Sequence, residues 1–161
     1  MWLLDTDTLS IREGGGSAAL SLQMKLGQIP LDEVGTTIVN YEEQMRGWLS
    51  RAAQATSPAR LQKAYARLED HIMTFRTLAM VSFDGKAASE FERLFKSHIR
   101  VGTKGLRIVT ICLANGATLL TRNSQDFGQV PGLKFGQYEQ GKKALYNAKS
   151  RADGSQSRWS A

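Results

Sequence analysis

The sequence predicts an α/β domain built on a mainly parallel sheet of four or five strands, with helices on both faces. Short β-branched or leucine-rich runs alternate with segments of helical period from the first residue to about residue 135. The first run, "WLLD", is apolar until it ends in an acid, as expected of a strand buried on both faces. A length of 161 residues, 42% hydrophobic and 22% charged, bounds one ordinary domain with a real core.

Taken in order, "TDTLSIRE" follows the first strand as a short helix, broken by Gly14, Gly15 and Gly16. "SAALSLQMKLGQI" restarts a helix with Ser17 as candidate cap. "VGTTIVN" (34–40) is β-branched and reads as the second strand. "YEEQMRGWLSRAAQA" reads as a helix, with Met45, Trp48, Leu49 and Ala52 at helical spacing. Ser57 and Pro58 open a long helix to about Arg76, proline suiting a first turn. "LAMVSF" (78–83) gives the third strand. Asp84 caps "GKAASEFERLFKSHI", whose Ala87, Phe91, Leu94 and Phe95 form a stripe expected to face the core. "GTKGLRIVTICLANG" gives a helix with Thr103 as candidate cap and Asn115-Gly116 as its stop. Its Gly105 is anomalous: a first turn favours an acid, and glycine offers the helix nothing. "ATLLT" is the fourth strand, "NSQDF" a loop and "VPGLKF" a short last strand. From Gly136 the chain turns rich in Gly, Ser, Gln and Lys. The expected organisation is therefore a domain over 1–135 and a basic, weakly ordered tail over 136–161.

Charge and cysteine usage narrow the function classes. Net charge is +6, and in residues 136–161 five basic residues against two acids account for +3. The body is only mildly basic, so charge invites a nucleic-acid partner without establishing one. The single cysteine, Cys112, excludes an intramolecular disulfide and sits on an apolar helix face, where a buried thiol is expected. No apolar run approaches the ~20 residues that span a bilayer. Met1 to Leu4 ends at an acid instead of extending into a signal peptide. A cytoplasmic protein without membrane contact is expected.

In open parallel sheets, ligands bind beyond the carboxyl ends of the strands. Asp5 ends the first strand, Glu42 and Glu43 follow the second, and Asp126 follows the fourth in the segment holding Asn123. Any one of these reads as a helix cap or a solvated charge. Three strand ends delivering acids to one edge suggest a site. Oxygen ligands without His or Cys suit Mg²⁺ or Mn²⁺, ions that activate water and offset charge at a scissile phosphate. His71 and His98 lack metal-ligand spacing. Arg46, Arg51, Arg60, Lys63 and Arg67 read equally as a solvated basic face or as a track for a phosphate backbone. Trp48 reads as core or as part of a partner groove.

Three stretches resemble the PIN-domain ribonucleases, particularly the VapC toxins of bacterial VapBC toxin–antitoxin pairs: "LLDTDTLS", "TTIVNYEEQMRGWL" and "RVGTKGLRIVTICLANGATLLTRNSQDFGQVPGL". They cover roughly residues 1–135 in the family's order. The resemblance implies a PIN-domain, Rossmann-like sheet and Mg²⁺- or Mn²⁺-dependent endoribonuclease chemistry. It also implies a VapB-like antitoxin partner, an RNA substrate and a homodimer. Residue by residue, Asp5 matches the first metal acid, Glu43, four residues before Gly47, the second, and Asp126 a fourth. Thr121 and Asn123 match polar, substrate-contacting positions. The third acid is missing: Gly105 stands where the family has Asp, beside Lys104. Impaired metal binding and cleavage are the expected result, and restoring Asp at that position is expected to steady the helix and the ion site together. The alternatives are a degenerate PIN protein that retains only antitoxin binding, and, leaving the resemblance aside, a small α/β module for a nucleotide or protein.

Overall fold

The structure, a computed structural model, describes residues 1–138 apart from 98 and 100, together with the residue pair 146–147. The strands are β1 (Trp2–Leu4), β2 (Val34–Thr37), β3 (Ala79–Val81), β4 (Thr118–Leu120), β5 (Lys134–Gly136) and β6 (Tyr146–Asn147). They form one sheet in the order β3-β2-β1-β4-β5-β6. The first five are parallel, and β6 pairs antiparallel with β5 at the edge. The mainly parallel sheet expected from the sequence is therefore present.

Strand order reverses direction on either side of β1. Trp2–Leu4 pairs with Val34–Thr36 on one side and with Thr118–Leu120 on the other. Because β1 is central, Leu3 and Leu4 are fully buried on opposite faces, in two separate clusters. Leu3 packs with Val109, Ile111, Cys112 and Leu119, and Leu4 with Leu9, Leu22, Phe75 and Leu120. The two faces are covered by α1 (Thr6–Gly14), α2 (Ser17–Leu26), α3 (Ile38–Ala53), α4 (Pro58–Arg76), α5 (Gly85–Lys96) and α6 (Thr103–Ala114), with a one-turn α7 (Ser124–Phe127) after β4. Among the described residues no helix is long and apolar enough to cross a membrane.

Several local expectations change. β2 stops at Thr37 and α3 begins at Ile38, because the Thr37 hydroxyl accepts from the Asn40 N–H at 3.2 Å and caps the helix. Gly16, not Ser17, precedes α2 with no side-chain cap, and Gly102, not Thr103, precedes α6. "NSQDF" is not a loop: Asn123 accepts from Asp126 N–H and caps α7. Phe95 is 62% exposed, while Ala87 and Leu94 of the same stripe are buried. Ser57 and Asp84 do cap α4 and α5, and Gly116 at φ 60° stops α6. Packed structure continues past residue 135, since Gly136 belongs to β5 and Tyr138 is buried in the cluster around Leu4. Most of the expected tail, residues 139–145 and 148–161, lies outside the described residues, as does His98.

Candidate functional site

The carboxyl ends of β1 and β4 meet where the strand order reverses, the place where an open α/β sheet leaves a crevice. Asp5 leaves β1 there with only 6% exposure. Its Oδ1 accepts from the Thr8 N–H at 2.7 Å, capping α1, and its Oδ2 accepts from the Thr121 hydroxyl at 2.5 Å. Thr8 Oγ1 donates to Leu120 O at 3.0 Å, locking α1 to the end of β4. Asn40, fully buried, donates to Leu4 O and to Thr36 Oγ1, which fixes the end of β1 against β2. Burial pushes the Asp5 carboxyl above its ordinary value, against the lowering effect of its bonds to Thr121 and Thr8.

The network continues on both sides. Thr121 Oγ1 accepts from the Asn123 N–H at 3.0 Å, and Asn123 Nδ2 donates to Asp126 Oδ2 at 2.7 Å. Asp126 is thus tied to Asp5 through Asn123 and Thr121. On the other side Thr6, the first residue of α1, donates its hydroxyl to Glu43 Oε2. Glu43 Oε1 lies 3.7 Å from the Lys104 ammonium, with the Glu43 side chain 14% exposed. Glu42 points elsewhere, into an i,i+4 ion pair with Arg46. Of the two glutamates, Glu43, the one matched through the family resemblance, is the more buried.

Thr6, Thr8 and Lys104 were not among the residues the sequence proposed for the site. Thr6 and Thr8 had a visible signal, since both closely follow the acid that ends β1. Lys104 had one too, as a cation beside the anomalous glycine.

Gly105 has a packing reason that the sequence does not show. A β-carbon there would lie 2.8 Å from Val101 Cγ1, and 3.5 and 3.7 Å from two ring carbons of Phe127. Val101 and Phe127 are both buried. The first turn of α6 thus rests directly on two core side chains. The expectation that Gly105→Asp would simply steady the helix meets a packing obstacle, because its β-carbon would approach a stiff β-branched side chain.

The donor set is a poor match to a magnesium or manganese site. Asp5, Glu43 and Asp126 all lie at the carboxyl edge, yet among the described residues no three of His, Cys, Asp and Glu are grouped to hold one ion. Position 105 supplies no carboxylate, and the Lys104 ammonium lies 3.7 Å from Glu43 Oε1. No hydrolytic step is therefore assigned to a metal here.

No protein-family model and no curated protein matches the sequence. Solved structures do match the fold. VapBC-1 from nontypeable Haemophilus influenzae has a TM-score of 0.67 and 15% identity over 85% of this chain and 97% of that one. VapBC2 from Rickettsia felis, bound to a DNA fragment from its promoter, has a TM-score of 0.63 and 17% identity over 86% and 98%. FitAcB from Neisseria gonorrhoeae has 0.62 and 20% over 80% and 92%. The chain therefore shares its α/β fold with chains of these VapBC and FitAcB structures.

Proposed function

We propose that this chain is a VapC-type PIN protein, the partner of a VapB-like antitoxin, in which metal-dependent endoribonuclease activity is impaired. The single observation that carries the reading is the Lys104–Glu43 ion pair beside a position 105 without a carboxylate. The fold, the order of the acids along it and the network joining Asp5, Thr121, Asn123 and Asp126 support descent from a nuclease. The ion pair opposes the chemistry. Lys104 is 59% exposed, so the pair adds little to stability, well under ~1 kcal/mol for such geometry. Its effect on a divalent ion is larger because that ion carries twice the charge: unit charges ~4 Å apart interact by roughly 1 kcal/mol in water, and the exposed ammonium would repel such an ion by about double that. Homodimerisation, a cytoplasmic location and an RNA substrate belong to the same proposal.

A second reading, a protein that keeps antitoxin binding and has lost cleavage altogether, is favoured by the same ion pair. Mn²⁺ titration by calorimetry and a total-RNA cleavage assay on the unaltered chain and Lys104→Asn separate the two. Impaired catalysis predicts weak cleavage that EDTA abolishes, and Mn²⁺ binding that tightens roughly tenfold, about 1.4 kcal/mol, in Lys104→Asn. No cleavage by either form selects the second reading. Unchanged Mn²⁺ affinity in the variant would remove Lys104 from the account.

A further inference from the structure

Glu43 has two partners, and both come from other elements. Thr6, the first residue of α1, donates its hydroxyl to Oε2, and the Lys104 ammonium of α6 lies 3.7 Å from Oε1. One glutamate of α3 thereby joins two further helices that border the crevice. Glu42, by contrast, pairs along its own helix with Arg46 and is the more exposed of the two.

Each side of that junction has a reason to keep the carboxylate. α6 begins after Gly102 without a side-chain cap, and its first turn holds no acid, so its positive end and Lys104 stand together. With glycine at 105, what α6 offers Glu43 is an ammonium and not a second carboxylate. Val101 and Phe127 lie where a side chain at 105 would go, so packing holds that arrangement in place. On α1, a hydroxyl turned to a carboxylate makes a charge-assisted bond, roughly twice the strength of a neutral one. Gln44, the next residue of α3, donates its Nε2 to Thr6 O at 3.3 Å. Two consecutive α3 residues therefore hold the same residue of α1.

We propose that Glu43 is a structural tie in this chain, clasping α1 and α6 to α3, and not an ion ligand. The role rests on the reading above only in taking the acids at the carboxyl edge as descended from an ion site. It goes further in giving the side chain matched to a ligand a different task, that of holding the helices around the crevice. The sign of a substitution separates the two roles. Acids crowded to receive an ion repel one another without it, so losing one carboxylate stabilises the ion-free chain. Losing a tie does the reverse.

The test is urea denaturation of the full chain, once in EDTA and once in Mn²⁺. In EDTA, Glu43→Ala should lower the folded-to-unfolded ratio roughly tenfold, although alanine is the better helix former. Thr6→Val should also lower it, and the double variant should lose less than the two single losses multiplied together, since both remove one bond. Lys104→Met should cost far less than Glu43→Ala, because the ammonium is 59% exposed. Mn²⁺ should leave the difference between the unaltered chain and Glu43→Ala unchanged. If Glu43→Ala fails to fold, Glu43→Gln and Thr6→Val carry the decision, each expected to lower the urea midpoint in EDTA. A Glu43 variant as stable as the unaltered chain in EDTA, or more stable, would overturn the proposal. So would independent losses in the double variant, or a stabilisation by Mn²⁺ that Glu43→Ala abolishes. These midpoints involve neither antitoxin nor RNA, so the reading above stands or falls on its own cleavage assay.

Discussion

Asp5 shows how one residue carries both fold and site. It ends β1, caps α1 and accepts from Thr121, all with only 6% exposure. Burial outweighs its hydrogen bonds, so the native state holds the carboxyl proton to higher pH than the unfolded chain, whose ordinary value is 3.8. Stability from Asp5 is therefore full below its unfolded value and is lost as pH rises through the higher folded value. Asp5→Asn removes that loss. The new amide can donate to Thr121 Oγ1 while its oxygen still accepts from Thr8, so the cap survives. Urea denaturation is expected to show the Asp5→Asn variant gaining on the unaltered chain as pH rises from about 4 to about 7. A difference that stays flat or shrinks with pH would refute the argument. Asp5 was a candidate in the sequence because it ends a strand, and Glu43 because the family resemblance places a Glu four residues before a Gly. The Lys104 contact to Glu43 was not, since it joins α6 to α3 across a long stretch of chain whose path only the fold sets.

Elements were legible where one local interaction decides them, and misread where a neighbour intervenes. Asp84 and Ser57 cap their helices as their positions suggest, each bonding the N–H three residues on. The β-branched run 34–40 reads as one strand, but Thr37 turns its hydroxyl to a cap and hands the rest to α3. Gly105 is the clearest tertiary override. Helix propensity and the macrodipole both favour Asp there, yet the first turn of α6 lies against Val101 and the Phe127 ring of α7. Gly105→Asp alone should destabilise the chain by about 1–3 kcal/mol, the range of overpacked cores, instead of strengthening the helix. Paired with Val101→Ala, which removes the methyl in the way, it should cost less than the two single changes added. Chemical denaturation of the two singles and the double measures the coupling. Additive costs would show that Val101 is not what excludes a side chain at 105.

For the molecule as a whole, the alternation of strands and helices was legible, as was the parallel sheet, because each depends only on the period and order of apolar residues. Where the packed body ends was harder to read. Composition turns polar at Gly136, but the sheet and core use residues on both sides of that change. The Thr121 N–H, at the centre of the candidate site, donates to Gly136 O at 3.0 Å. Tyr138 fills the cluster around Leu4, Leu9 and Leu120, whose members include the residues flanking Asp5 and Thr121. Two truncations separate the possibilities. Cutting after Phe135 removes the Gly136 carbonyl and a buried aromatic ring, and is expected to cost more than ~2 kcal/mol, since burial of a large side chain alone contributes about 1.5–3 kcal/mol. Cutting after Tyr138 keeps both and, among the described residues, gives up only the β6 ladder. It should lie clearly nearer the full chain in urea midpoint. If both truncations cost the same, Gly136 and Tyr138 contribute nothing beyond the rest of the C-terminal segment, and the stability of the Asp5–Thr121 corner is independent of them.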